Sequence, residues 1–174
     1  MNHHFVAILM GSENDWVTVE TTIAELSQLG VAIEAKIMSA HRTPEATIAY
    51  IREADQRGCA VFIAAAGLAA HLGGCIAAHT LKPVIGIPME SGSLQGLDAL
   101  LSTVQMPGGI PVACMGIGKP GAKNAAIFAA QILAIQDDVL RKKLSAQRES
   151  QKEKLKEADV ALQSQLKTHG YIHH

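Results

Sequence analysis

Aromatic residues are scarce in this chain of 174 residues: they make up 3% of it, with a single Trp. A site that stacks a flavin ring or a nucleic-acid base needs such rings, so these functions are disfavoured and the core must be aliphatic. The net charge is only -1, so the chain as a whole attracts neither nucleic acid nor a membrane surface, and an anion must be bound by local groups. No apolar run is long enough to span a membrane, and no signal peptide is recognised.

Cysteine is also rare. Cys59, Cys75 and Cys114 are an odd number and lack the C-x-x-C spacing of metal and redox motifs. Each lies in an apolar run, so we expect buried free thiols, which suit a reducing, cytoplasmic location. No two histidines are spaced with a carboxylate as metal ligands are, so no metal site is predicted.

What the chain does contain is a regular alternation of strand and helix patterns. Short continuous apolar runs predict buried strands at residues 5–10, 31–38, 59–65, 83–88 and 110–115. Apolar residues at helical spacing predict helices at residues 15–29, 44–57, 71–80, 94–104 and 120–135. Gly30 is expected to end the first helix and Thr43 to cap the second. Five such units predict an α/β fold with a parallel sheet and helices on both faces.

The composition changes after residue 136. The chain beyond it is mostly polar with a sparse apolar stripe, which predicts one or two amphipathic helices. We therefore divide the chain into an α/β domain, residues 1–136, and a C-terminal helical extension, residues 137–174. The extension is either a solvated tail or a helix that grips a neighbouring subunit.

Three further segments point to contacts between subunits. Segments 69–78 and 124–133 are apolar nearly all round, so both sides of each helix should be buried, which favours an oligomer. Residues 116–121, Gly-Ile-Gly-Lys-Pro-Gly, match the dinucleotide pattern G-x-G-x-x-G. They follow the last strand, however, and no strand ending in an acidic residue comes about twenty residues later. We interpret this segment as a glycine-rich turn at a subunit contact.

His41 and Arg42 directly follow the second predicted strand. The carboxyl ends of parallel strands face one crevice, where ligands bind. The neighbouring cation favours a neutral imidazole, so His41 is the predicted proton carrier, with a structural role as the alternative. The planar fork of Arg42 matches phosphate or carboxylate oxygens, and Ser39 adds a hydroxyl. The alternative for Arg42 is a surface ion pair with Glu45.

The loop after the first strand supplies a second set of polar groups to the same crevice. Gly11 and Ser12 form a tight turn before a helix, whose backbone amides attract an anion. Because Glu13 and Asp15 oppose a phosphate there, we assign Asp15 to sugar hydroxyls, with helix capping as the alternative. Ser12 and Asn14 remain available as neutral donors.

The loop after the third strand is built from small residues. We expect Gly67, Ala69 and Leu72 to leave room for a substrate and to contact it. His71 could stabilise a carboxylate or a CO2-sized group there. A helix-start histidine bonded to a carbonyl is an equally weighted alternative for His71.

Taken together, these motifs resemble the N5-carboxyaminoimidazole ribonucleotide mutases, class I of the PurE family of purine biosynthesis. The resemblance rests on the following segments: Gly11-Ser12-x-x-Asp15-Trp16, Ser39-Ala40-His41-Arg42-Thr43-Pro44, Ala69-Ala70-His71-Leu72, Gln-Met-Pro-Gly-Gly-Ile-Pro-Val at 105–112, and Asn124-Ala125-Ala126. It covers roughly residues 6–133. It implies a flavodoxin-like three-layer αβα sandwich around a five-stranded parallel sheet, a homo-octamer, and an enzyme of IMP biosynthesis without metal or organic cofactor.

The implied reaction moves a carboxyl group of a small ribonucleotide from an exocyclic nitrogen to C4, by decarboxylation and recarboxylation. The family's catalytic histidine corresponds to His41, and its substrate-binding serine, aspartate and arginine correspond to Ser12, Asp15 and Arg42. Asn14 stands where the family has a second serine, so a phosphate contact there must come from an amide.

The third loop also departs from the family pattern Gly-Gly-Ala-Ala-His-Leu-Pro-Gly. Leu68 replaces a glycine and Gly73 replaces the proline. A related branch of the family carboxylates aminoimidazole ribonucleotide directly with CO2, has a lysine in the second loop and lacks the Ala-Ala-His-Leu segment. Arg42 and His71 therefore favour the mutase. An alternative of another class is a non-catalytic nucleotide or FMN-binding module, which the scarcity of aromatic rings disfavours.

Overall fold

The computed structural model describes residues 4–171. Its centre is a sheet of five parallel strands in the order β2-β1-β3-β4-β5. The strands are β1 (Phe5–Met10), β2 (Ala32–Ile37), β3 (Cys59–Ala66), β4 (Val84–Pro88) and β5 (Ala113–Cys114). This is the strand order of flavodoxin-like folds, and the predicted α/β class with its five-stranded parallel sheet is confirmed.

Helices cover both faces of this sheet. One face carries α1 (Trp16–Leu29) and α5 (Gly118–Leu133), and the other carries α2 (Pro44–Gln56), α3 (Leu72–Ala77) and α4 (Leu97–Val104). All six residues of β1 are buried and alternate between the two cores: Val6, Ile8 and Met10 on one side, Phe5, Ala7 and Leu9 on the other. The continuous apolar run of this strand therefore reflects burial on both faces of the sheet.

β5 and α4 both begin later than predicted, for local backbone reasons. β5 begins at Ala113 instead of residue 110, because Pro111 has no N–H for the ladder and Gly109 has a φ of 91°. α4 begins at Leu97 instead of residue 94, because Gln95 and Gly96 both have positive φ. These turns could not be located from apolar spacing, which continues through them.

The predicted all-apolar helices are covered on one side only within a single chain. α3 spans six residues where ten were predicted, and its two glycines favour the helix weakly. α5 runs from Gly118 to Leu133, against the predicted 120–135, and Pro120 is tolerated in its first turn because its missing N–H has no partner there. The alanine face of α5 is fully buried, whereas Phe128 remains 37% exposed. Burial of both sides stays a prediction that concerns the assembled protein.

A single helix, α6 (Asp138–Thr168), forms the C-terminal extension. Asp137 caps it by accepting hydrogen bonds from the amides of Val139 and Leu140. Near its start, Lys143 Nζ donates to the carbonyl of Leu29 at 2.7 Å, and Gln147 donates to buried Glu25. From residue 149 to 168 the side chains are exposed apart from a partly buried Leu166. The inner part of α6 is thus anchored on α1, and its outer part extends past the sheet domain.

The three thiols are free, but the expectation that all are buried is right only for Cys59. Cys75 and Cys114 are partly exposed. Burial raises the pKa of the Cys59 thiol to about 11, so it is protonated at neutral pH. Among residues 4–171, no helix is long and apolar enough to cross a membrane.

Candidate active site

The carboxyl ends of β1, β2 and β3 enclose a cavity of about 530 Å³. In a sheet of this strand order, the gap between β1 and β3 is where the chain reverses direction across the sheet and ligands bind. The cavity brings together all ten residues predicted from the sequence: Ser12, Asn14, Asp15, Ser39, His41, Arg42, Gly67, Ala69, His71 and Leu72. Gly11, Ala40, Ala66, Leu68 and Ser91 complete the lining.

Ser39 organises the loop after β2. Its Oγ accepts hydrogen bonds from the backbone amides of His41 at 3.3 Å and Arg42 at 3.1 Å. Thr43 closes the loop, since its Oγ1 accepts from the Ser39 amide at 3.0 Å and donates to the Ser39 carbonyl at 3.2 Å. Thr43 occupies the N-cap position of α2 as predicted, with Pro44 as the first helical residue, but its side chain makes no capping hydrogen bond because its hydroxyl is bonded to Ser39. The backbone of His41 and Arg42 is fixed before any ligand binds.

His41 and His71 are directly hydrogen-bonded to each other. His41 Nε2 lies 2.8 Å from His71 Nδ1, and the two rings meet edge to face, with centroids 4.9 Å apart. This contact replaces the carbonyl bond considered for His71. Within residues 4–171 neither the Nδ1 of His41 nor the Nε2 of His71 has a hydrogen-bond partner. Each ring therefore keeps one nitrogen available for a ligand.

Arg42 ties the second loop to the first. Its Nη2 donates to the carbonyl of Gly11 at 3.0 Å. The ion pair with Glu45 is absent from the salt bridges formed by residues 4–171. A guanidinium has five N–H donors, so most of them remain free for an anionic ligand.

Asp15 is a buried carboxylate at the start of α1. It accepts a hydrogen bond from the backbone amide of Ser12 at 3.0 Å, while Ser12 Oγ accepts from the Asn14 amide at 3.2 Å. The alternative role in helix capping is therefore partly right. Asp15 and Ser12 form a reciprocal capping box around the short 3-10 turn before α1. The Asp15 side chain makes no capping hydrogen bond to α1 itself. Burial raises the pKa of its carboxyl, and the amides of Ser12 and Gly11 partly oppose that rise.

The third loop bends through an unusual conformation. Leu68 has a φ of 55°, in the left-handed region that favours glycine, and its side chain is 55% exposed. The segment is held by Ser102, whose Oγ accepts from the Ala70 amide at 3.0 Å. Gly67 has no room for a side chain, because a Cβ there would overlap Ser91 Oγ. Of the two glycines in the family pattern, this loop therefore keeps the first, as Gly67, and has Leu68 in place of the second.

Ser91 is a lining residue that sequence reasoning missed. It lies three residues beyond the end of β4, so the rule that ligands meet the carboxyl ends of parallel strands could have pointed to it. The sequence prediction assigns neither structure nor function to residues 89–93, between the strand 83–88 and the helix 94–104.

The G-x-G-x-x-G segment lies outside this cavity. A Cβ on Gly121 would overlap the carbonyl of Gly116, and Gly118 has a φ of 70°. Close packing within the chain thus accounts for Gly121 and backbone conformation for Gly118, while a Cβ on Gly116 would meet open space. The expected place of this segment at a subunit contact stays a prediction. In the described part of the chain, no group of three or more His, Cys, Asp or Glu side chains is arranged to hold a metal ion.

Comparison with known proteins gives concordant results. The family model described as AIR carboxylase matches residues 5–154. An N5-carboxyaminoimidazole ribonucleotide mutase of Bacillus subtilis (strain 168) is 50% identical over 157 residues, 90% of this chain and 97% of that protein. The mutase of the same name from Escherichia coli (strain K12) is 47% identical and covers 87% of this chain and 90% of its own length.

The relatives extend to archaea and to solved structures. A protein named N5-carboxyaminoimidazole ribonucleotide mutase from Saccharolobus solfataricus is 52% identical over 80% of this chain and 87% of its own length. The crystal structure of Treponema denticola PurE superposes with a TM-score of 0.82 at 31% identity, covering 91% of this chain and 98% of that one.

Proposed function

The chain belongs to the AIR carboxylase family, and on that premise we propose that it is an N5-carboxyaminoimidazole ribonucleotide mutase, an isomerase of purine biosynthesis. The reaction moves the carboxyl group from the exocyclic nitrogen of the imidazole to C4. The observation that carries the proposal is the hydrogen-bonded pair of His41 and His71 in a cavity that also holds Arg42 and Asp15.

The polar groups of the first two loops suit a ribonucleotide. The free N–H groups of Arg42 and the hydroxyl protons of Ser12 and Ser39 can donate to a phosphate, because both hydroxyl oxygens already accept from backbone amides. Asp15 has one carboxylate oxygen in the capping box and offers the other to the ribose hydroxyls. The side-chain amide of Asn14 supplies a further neutral donor.

The paired imidazoles suit the two proton transfers of the reaction. The exocyclic nitrogen must gain a proton as its carboxyl group leaves, and C4 must lose one after CO2 adds. If His41 Nε2 donates to His71 Nδ1, then His41 Nδ1 is a free base and His71 Nε2–H is a free donor. His41 then carries the proton between the two atoms, and His71 holds the carboxylate oxygen.

The third loop provides the place where the CO2 is held between the two steps. Gly67 and Ala69 have no bulk beyond a methyl group, and Leu72 is buried beside them. This small, weakly polar recess next to His71 can hold CO2 and keep it from mixing with the solvent.

We also propose that the protein is a homo-octamer in the cytoplasm, with Gly116–Gly121 and the outer part of α6 at its contacts. The support for association is an exposed apolar stripe at helical spacing along and before α4: Leu94, Leu97, Leu101 and Val104 are 48–56% exposed. The count of eight is what the resemblance to the family implies. Light scattering at micromolar concentration tests this assembly. A monomer mass would contradict it.

The function itself is tested with the purified protein, without ATP. In bicarbonate-free buffer it should convert N5-carboxyaminoimidazole ribonucleotide, and with aminoimidazole ribonucleotide it should need very high bicarbonate. Efficient use of aminoimidazole ribonucleotide at ambient CO2, with no activity on the carboxylated substrate, would identify a carboxylase instead.

A further inference from the structure

Ser91 lines the candidate active-site cavity next to Gly67, which borders the recess proposed to hold CO2. After β4 ends at Pro88, the Met89 amide donates to the Ala66 carbonyl at 2.9 Å, which continues the contact with β3. The chain then brings Ser91 against Gly67, and both residues line the cavity that also contains His71.

The Ser91 hydroxyl has no hydrogen-bond partner among the side chains and backbone of residues 4–171. In the same part of the chain, every buried side-chain nitrogen or oxygen has a partner. The Ser91 oxygen is therefore open to the cavity, with one donor and two acceptor positions unused. By contrast, Ser12 and Ser39 both accept hydrogen bonds from their own loops.

The Ser91 side chain lies where two loops pack tightly against each other. A Cβ on Gly67 would overlap Ser91 Oγ, and a Cβ on Gly92 would lie 2.6 Å from Leu68 Cδ2. Both turns use a positive φ, which Gly92 adopts freely and which is unfavourable for Leu68. Packing of this kind limits the conformational freedom that the two loops lose when a ligand binds.

We infer that Ser91 is a further substrate-binding residue, whose hydroxyl donates a hydrogen bond to the carboxyl group that is transferred. This inference rests on the proposed function and names a donor for its reacting group. Carboxylate oxygens are the strongest acceptors that the substrate would bring to this wall. The hydroxyl is neutral and lies next to Gly67. It can therefore donate to the carboxyl group both on the exocyclic nitrogen and on C4, without placing a fixed charge in the cavity.

Calorimetric binding of two nucleotides separates this role from a structural one. 4-Carboxyaminoimidazole ribonucleotide has the carboxyl group, and aminoimidazole ribonucleotide lacks it. For Ser91→Ala we expect about a tenfold or greater rise in Kd for the first nucleotide, because a hydrogen bond to a charged group is lost, and little change for the second. Ser91→Cys, which keeps the volume but donates weakly, should show the same selective loss.

The matched control is Ser93→Ala, an exposed serine of the same loop that does not line the cavity, which should bind both nucleotides normally. Thermal melting checks that each variant is folded. If Ser91→Ala and Ser91→Cys bind the carboxylated nucleotide as tightly as wild type, or weaken both nucleotides equally, the inference is wrong while the proposed function stands. If wild-type protein binds neither nucleotide, the proposed function fails and takes the inference with it.

Discussion

The contact between His41 Nε2 and His71 Nδ1 predicts that the two histidines act as one unit, which a double-mutant cycle can measure. His41→Asn removes the proposed proton carrier and should lower kcat by about 10²–10⁴-fold, the usual effect of losing a general acid–base group. His71→Asn leaves the carrier in place but removes its hydrogen-bond partner.

The size of the His71 effect follows from the geometry. At 2.8 Å, with His41 protonated during turnover, the bond is a charge-assisted one, which is worth about 1.5–3 kcal/mol. That energy corresponds to about 10–150-fold in rate. Because both rings are exposed to solvent, we expect the lower part of this range, about 10–30-fold in kcat. His71→Asn should also weaken the contact with the substrate carboxylate. Because that contact is present both before and after transfer, its loss should raise KM and leave kcat unchanged.

If His71 acts on the rate through His41, the double variant should be within about threefold of His41→Asn in kcat, because the second change removes a partner that is already gone. The assay is steady-state conversion of N5-carboxyaminoimidazole ribonucleotide, with melting temperatures as the check on folding. Multiplicative losses in the double variant would show that the two rings act independently. A normal kcat in His71→Asn would show that the contact has no part in turnover.

Three further predictions concern single side chains. Arg42→Lys keeps the charge but loses the planar guanidinium that also donates to the Gly11 carbonyl, so KM should rise about tenfold or more. Steady-state kinetics measure this. An unchanged KM would show that Arg42 has a structural role instead. Burial raises the pKa of the Asp15 carboxyl, so its protonated form stabilises the folded protein, and this stabilisation is lost as the pH rises through the folded-state pKa. At neutral pH Asp15→Asn should therefore melt no lower than wild type, while its KM rises. A lower melting temperature would contradict this. Gly121→Ala places a Cβ against a backbone carbonyl and should lower the free energy of unfolding, measured with denaturant, by about 1–3 kcal/mol. Gly108→Ala has open space around the new methyl group and should be nearly neutral. Equal effects of the two variants would refute the packing argument.

Much of the fold was predictable because its signals are local and repeated. The buried run of β1 and the glycine after α1, with a φ of 77°, are each recognised within a few residues. What could not be predicted depends on backbone conformation that apolar spacing does not record. The late start of α4 follows from two consecutive residues with positive φ, one of which is the non-glycine Gln95.

The candidate site was predictable as a set of residues but not as a set of contacts. The rule about strand ends places His41 and Arg42 in one crevice from sequence alone. It does not say that His41 would meet His71, which lies thirty residues later, because that distance depends on how two loops bend over the sheet. Ser91 follows β4, so the same rule reaches it, but its packing against Gly67 is a contact between loops that no local pattern encodes.

Three departures from ordinary local rules meet at this cavity, although another, the positive φ of Gln95, lies outside its lining. Leu68 adopts a backbone conformation that favours glycine, Asp15 keeps a carboxylate in a buried position that raises its pKa, and Ser91 leaves a hydroxyl unpaired. Each of these features costs stability or gains none, and each is avoidable by a common substitution. Proteins retain such features where a ligand compensates for them. Because Leu68, Asp15 and Ser91 all line one cavity, they argue for a function there without reference to any other protein. It also explains why the substitutions that should stabilise this chain, such as Asp15→Asn, are the ones expected to weaken substrate binding.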